Sequence, residues 1–112
     1  GKPAQMWEAL TELRELPDDT LVYCGHEYTL DNARFALSVD PRNTALGIRA
    51  AEVKRMREAG RFTIPVSLGM EKRTNPFLRA DRPEIARAMN MEPDAKPAQV
   101  FAALRAAKDT FR

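Results

Sequence analysis

The sequence contains little of what disulfide-linked, membrane-spanning and nucleic-acid-coating proteins require. Its one cysteine, Cys24, excludes an internal disulfide framework and fits a reducing compartment. No apolar run approaches the roughly 18 residues that span a bilayer, and no signal-peptide pattern opens the chain. The 18 Lys and Arg residues nearly balance 16 Asp and Glu residues, and the net charge of +2 is too small to coat nucleic acid. These absences predict a soluble, cytoplasmic protein that binds neither nucleic acid nor a membrane.

Histidine is equally scarce, since His26 is the only one in 112 residues. It follows an apolar run, residues 21–24, that reads as a buried strand ended by Gly25. A strand end followed by a glycine and a helix start is a common place for chemistry in α/β enzymes. One imidazole can ligate a metal or move a proton, but a hydrolytic zinc site takes three protein ligands. A Cys24–His26 nucleophile pair lacks an orienting third group, and taken alone such a histidine is more often a packed residue than a ligand.

The rest of the chain is predominantly helical, which predicts a mostly-α fold preceded by the last helix-strand unit of an α/β sheet. Apolar periodicity and helix-stop signals place five helices, at residues 3–16, 29–39, 44–59, 83–89 and 97–111. On the second helix, Leu30, Ala33 and Leu37 are expected to face inward. Residues 61–83 read as an irregular loop. Because one short strand cannot satisfy its own backbone groups, either the segment 21–24 pairs with strands in another part of the protein or it is not a strand.

The last helix carries an apolar stripe beside a basic one. Spacings of four, three and four residues place four apolar side chains on one face: Val100, Leu104, Ala107 and Phe111. Arg105, Lys108 and Arg112 form the adjacent basic stripe. Two or three cations there suit a small anion such as a carboxylate. The same residues also stabilise the helix dipole, which is the commoner reason for cations near a helix C-terminus.

Several blocks of this sequence, in their order and spacing, resemble glyoxalase II (hydroxyacylglutathione hydrolase). The blocks are LPDDT at 16–20, VYCGHEYT at 22–29, NARFA at 32–36, TNPFLR at 74–79 and RAAKDTF at 105–111. The resemblance covers essentially the whole chain. It implies that residues 1–28 are the C-terminal remnant of a metallo-β-lactamase-like domain and residues 29–112 a helical substrate-binding domain.

The resemblance also implies roles for particular residues. His26 matches the last histidine ligand of the family's two-metal site, which takes two divalent ions; zinc is expected, and iron or manganese also suits N/O ligands. Tyr28 matches a tyrosine that hydrogen-bonds the glutathione part of the substrate. Arg105 and Lys108 match the basic pair that holds a glutathione carboxylate. The segment 75–77 matches a signature that we interpret as structural, fixing the loop between helices.

The sequence also departs from the family. The T-H-x-H-x-D-H ligand motif, a further histidine and a bridging aspartate are absent, and PVSL at 65–68 stands where Pro-Ser-Thr-Leu is usual. The resemblance therefore implies the C-terminal part of a monomeric hydrolase that converts S-D-lactoylglutathione to D-lactate and glutathione. The N-terminal metallo-β-lactamase domain of the same protein is its expected partner, and this segment alone is expected to be inactive.

A function from another class remains open at this point. The chain fits a small helical interaction module whose basic last helix docks an acidic partner without catalysis. In that case His26 can be replaced by alanine without consequence. In the enzyme, the same replacement removes a metal ligand.

Overall fold

The computed structural model describes residues 2–22, 29–61 and 65–111. Within these ranges the chain forms six α-helices, two short strands and one 3₁₀ helix. In chain order they are α1 (Pro3–Arg14), β1 (Leu21–Val22), α2 (Thr29–Val39), α3 (Thr44–Glu58), β2 (Val66–Ser67), α4 (Leu68–Thr74), the 3₁₀ helix (Pro76–Arg79), α5 (Pro83–Ala88) and α6 (Pro97–Thr110). The prediction of a mostly-α fold is confirmed. No helix in the described ranges combines the length and the apolar character needed to cross a membrane.

Local sequence explains where the helices begin. Proline occupies the first turn of α1, α5 and α6, where its fixed φ suits the helix and its missing N–H is not needed. Asn43 caps α3, because its side chain accepts a hydrogen bond from the backbone N–H of Leu46 at 3.1 Å. Ser67 caps α4 in the same way, accepting from the N–H of Met70 at 3.2 Å. These signals are local, so the predicted helices are found within a few residues of their expected bounds.

The pairing of the strand differs from the prediction. β1 pairs with β2 of the same chain in an antiparallel ribbon, with Leu21 opposite Ser67 and Val22 opposite Val66. The two described residues therefore do form a strand, and its partner lies within this chain and not in another part of the protein. The expectation that 61–83 is irregular was wrong, since β2, α4 and the 3₁₀ helix lie there. A two-residue strand has too little alternation to be seen in sequence. The rest of the predicted strand, residues 23–24, lies outside the described residues.

The core lies where α2, α5, α6 and the 3₁₀ helix meet. Its buried members are Phe35, Val39, Ala80, Ile85, Ala86, Val100, Phe101 and Leu104. Phe77 joins the two sides of this core, because its ring stacks on Phe35 at 6.0 Å and meets Phe101 edge-on at 5.5 Å between centroids. The core therefore fixes α6 against α2.

The buried face of α2 is rotated from the one expected. Ala33 is buried as predicted, but Leu30 and Leu37 are only half-buried. The side chains that α2 buries most completely are Phe35 at 2% and Ala36 at 4% exposure. The periodicity was ambiguous because α2 is apolar around much of its circumference, and the large Phe35 ring takes the core position.

Helix α1 packs on α6, bringing the first and last helices of the chain together. Met6, Trp7 and Leu10 lie against the core cluster, yet α1 contributes no fully buried residue. The ring of Trp7 lies 6.4 Å from that of Phe101, tilted by 50°. This contact gives α6 a neighbour on the side that carries Arg105.

Candidate substrate-binding site

The structure describes two of the four site residues that the sequence singles out. Arg105 and Lys108 lie on α6, whereas His26 and Tyr28 lie outside the described residues. The described part of the site is therefore its α6 side.

Helix α6 presents both cations beside its buried face. Val100, Phe101 and Leu104 are at most 2% exposed and anchor the helix to the core. Arg105 and Lys108 are three residues apart, so they are neighbours on the helix surface, and each is half-buried. The core therefore determines the direction in which the two cations project.

Arg105 is directed toward α1. Its Nη1 donates a hydrogen bond to the thioether Sδ of Met6 at 2.9 Å, across 99 positions of sequence. A thioether is neutral and a weak acceptor. The contact therefore fixes part of the guanidinium while leaving its charge intact.

Lys108 is directed toward α2. Its Nζ lies 5.9 Å from the centroid of the Phe35 ring, within the range of a cation–π interaction. The ring of Phe111 meets Phe35 edge-on at 5.5 Å, so the aromatic surface below the amine is fixed. The ammonium group is thus placed by an aromatic surface that carries no opposing formal charge.

These two cations differ electrostatically from several others on the surface. Arg14 pairs with Asp81 at 3.0 Å, and Arg79 with Asp40 at 3.5 Å. In the described ranges, no ion pair joins Arg105 or Lys108 to a carboxylate. A positive charge without an acidic partner among the described residues suits a carboxylate ligand, since charge-assisted hydrogen bonds are the stronger kind.

A mainly apolar cavity of about 330 Å³ adjoins Lys108. Its apolar wall includes Leu10, Ala36, Leu46, Val53, Leu68 and Phe77. Asn32, Arg49, Glu71 and Asn75 supply polar groups. Lys108 is one of its lining residues, but most of the wall is apolar and does not suit a carboxylate.

The 75–77 signature stabilises the turn between α4 and the 3₁₀ helix. The Asn75 side-chain oxygen accepts from the N–H of Phe77 at 2.9 Å, and its amide donates to Glu71 at 2.9 Å. The ring of Phe77 is thereby held against Phe35. This agrees with the structural role expected for the signature.

Sequence reasoning missed two groups of residues. One is the contact of Met6 with Arg105. The other is a polar network around Asp40, which is 6% exposed, pairs with Arg79 and accepts from the Asn43 amide at 3.0 Å. The Met6–Arg105 and Asp40–Arg79 contacts each join residues far apart in sequence, so no local pattern signals them.

A metal site is not formed by the described residues alone. Among them, no group of three or more His, Cys, Asp or Glu side chains is arranged to hold an ion. His26 and Cys24 are outside that set.

A family model and several relatives that match this chain carry the same protein name. A family model described as "Hydroxyacylglutathione hydrolase C-terminus" matches residues 27–111. A hydroxyacylglutathione hydrolase of Ruegeria pomeroyi is 59% identical over 111 residues, covering 99% of this chain and 43% of the relative. Relatives of the same name from Rhizobium meliloti and Microcystis aeruginosa are each 54% identical over 111 residues, or 99% of this chain. The chain spans 43% and 42% of their lengths.

Proposed function

Since the chain belongs to the hydroxyacylglutathione hydrolase C-terminus family, we propose that it is the substrate-binding part of a glutathione thioester hydrolase. The intact protein hydrolyses S-D-lactoylglutathione, and similar acylglutathione thioesters, to the hydroxy acid and glutathione. The observation that carries this proposal is the pair of α6 cations, Arg105 and Lys108, whose charges no described carboxylate neutralises.

Arg105 and Lys108 hold a carboxylate of the glutathione part, and Tyr28 donates a hydrogen bond to the same part. The guanidinium and ammonium groups form charge-assisted bonds that are stronger than neutral ones. Because the carboxylate is remote from the thioester, this binding energy orients the reacting carbonyl. The role of Tyr28 rests on the family resemblance, since that residue lies outside the described ranges.

His26 is proposed as one ligand of a two-metal site, with zinc, iron or manganese as its metals. Such ions, when bound, make hydroxide available near neutral pH. The described residues do not form a cage, and the chain has no second histidine. We therefore assign the other ligands to the N-terminal metallo-β-lactamase domain of the same protein.

The domain boundary is proposed at residues 28 and 29. Residues 1–28 complete the metallo-β-lactamase domain, and residues 29–112 form the helical domain. The two parts share an interface in which β1 pairs with β2 and α1 packs on α6. Arg105 thus stands at the contact between them.

The test compares two variants of the full-length protein. Arg105→Ala is expected to raise the KM for S-D-lactoylglutathione by about tenfold or more with unchanged metal content, because a charged hydrogen bond is lost. His26→Ala is expected to lose bound metal and most activity. Metal content is measured by elemental analysis and KM by thioester hydrolysis. Arg87→Ala, an exposed arginine on α5, is the matched control.

The result that contradicts the proposal is an unchanged KM in Arg105→Ala. Full metal occupancy and activity in His26→Ala would favour the non-catalytic interaction module instead. The 112-residue chain alone is expected to show no thioester turnover, since it carries a single histidine. Metal-dependent turnover by that chain would contradict the assignment of the other ligands to another domain.

A further inference from the structure

The guanidinium of Arg105 is held by a sulfur atom, although a carboxylate is the usual partner of a fixed arginine. The side chain has five N–H donors, of which the described part of the chain engages one, through the Met6 Sδ at 2.9 Å. Among the described residues, nothing else is bonded to the remaining donors, which can therefore bind a ligand. An aspartate in place of Met6 would hold the side chain more firmly but would compete with an anionic ligand.

Packing fixes the sulfur itself. Met6 lies against the core cluster beside Trp7 and Leu10, and the Trp7 ring packs on Phe101 of α6. Because Phe101 and Arg105 are four residues apart on one helix, the same interface sets the position of both. Met6 therefore presents its thioether from a fixed side of α1.

We propose that Met6 is a positioning residue, which orients Arg105 toward the substrate carboxylate before the substrate binds. This inference rests on the proposed function. Immobilising a long arginine side chain costs conformational entropy, and a contact that already restricts it lowers that cost on binding. A neutral acceptor does so without weakening the attraction between Arg105 and an anion.

The experiment uses the full-length enzyme with Met6→Leu, which keeps the apolar volume and removes the acceptor. Loss of one hydrogen bond predicts a KM for S-D-lactoylglutathione raised about fivefold, with kcat and metal content unchanged. Met6→Gln, whose amide oxygen replaces the sulfur as acceptor, is expected to keep KM within about twofold of the parent. Met91→Leu is the matched control, because Met91 also packs against the core cluster and is distant in sequence from this contact.

Two further measurements separate positioning from a general effect on the fold. A glutathione thioester with its carboxylates amidated gives Arg105 no anion to bind, so Met6→Leu and the parent should hydrolyse it equally well. In an Arg105→Ala background, Met6→Leu should not change KM further, since the residue through which it acts is gone.

The outcomes also distinguish this inference from the proposed function. If Arg105→Ala raises KM and Met6→Leu does not, the positioning role is overturned and the substrate-binding role stands. If Arg105→Ala leaves KM unchanged, the proposed function itself fails. An equal loss of activity by Met6→Leu on the amidated and native substrates would show a structural role and overturn the inference.

Discussion

At the scale of single residues, Glu84 shows how local hydrogen bonding changes the titration of a half-exposed carboxylate. It lies in the first turn of α5. The hydrogen bond from its own backbone N–H lowers the pKa of Glu84 below its ordinary value of 4.5; burial opposes this, and Arg82 and Arg79 lower it further. Its Oε1 is 3.2 Å from both arginines. The charged form is therefore favoured by the fold.

A depressed pKa predicts a definite pH dependence. The stabilisation by Glu84 is fully present above 4.5, the unfolded value, and is lost as the pH falls through the lower folded pKa. In Glu84→Gln, the free energy of unfolding should therefore decrease less steeply than in the parent protein as the pH falls below 4.5. Urea unfolding at several pH values measures this dependence. Glu92→Gln, at an exposed position after α5, is the control. Equal pH slopes in Glu84→Gln and the parent protein would contradict the prediction.

Residue-scale prediction from sequence succeeded where the signal was local. The i,i+3 spacing of Arg105 and Lys108 was enough to place them on one face of α6. Met6 carries no such signal, because nothing in the sequence links it to a residue 99 positions away. Contacts of this kind depend on how helices pack, which periodicity does not specify.

At the scale of elements, the start of α4 is bound to the segment between α1 and β1. The backbone N–H of Leu68 donates to the carbonyl of Thr20 at 2.7 Å, and that of Gly69 donates to the carbonyl of Asp18 at 2.9 Å. A Cβ at Gly69 would lie 3.0 Å from the Asp18 Cβ and 3.3 Å from its carbonyl oxygen. A side chain at position 69 therefore requires Asp18 to shift by a few tenths of an ångström.

Gly69→Ala is therefore expected to destabilise the protein by about 1–3 kcal/mol, the usual cost of overpacking. Gly47→Ala is the matched control, because a Cβ there meets nothing within 4 Å and the position is exposed on α3. It should stabilise by about 0.5–1 kcal/mol through helix propensity. Chemical denaturation of the full-length protein measures both. A Gly69→Ala protein as stable as Gly47→Ala would refute the close-approach argument.

Strand β2 and helix α4 show why part of the fold was not predicted. Proline positions and apolar spacing specify helices through neighbours three or four residues away, so α1, α2, α3, α5 and α6 could be predicted. β2 and α4 lie in a proline-punctuated segment, and β2 is defined by its pairing with a distant strand. Pairing between distant segments has no local sequence signal when each strand is two residues long.

At the scale of the whole molecule, Phe101 is the residue through which α1, α6 and the 3₁₀ helix meet. It is 2% exposed and touches the rings of both Trp7 and Phe77. The first and last helices of the chain are thus held by one aromatic cluster.

Phe101→Ala should cost about 3–5 kcal/mol of unfolding free energy, as is usual for large buried aromatic side chains. Ile48→Ala provides a contrast, because Ile48 is 65% exposed on α3 and surface changes are typically within about 0.5 kcal/mol. Urea unfolding at neutral pH measures both values. A small loss in Phe101→Ala would mean that α1 and α6 are joined mainly by other contacts.

Helix α1 has no fully buried side chain, and this affects the order in which the helices open as the temperature rises. Helices with few buried groups open locally before the rest of a protein unfolds. Amide protons of α1 should therefore exchange with deuterium sooner than those of α6, whose residues Val100 and Leu104 are fully enclosed. Because Met6 leaves with α1, the proposed binding of an anion by Arg105 should weaken at a temperature where the remaining helices are still folded.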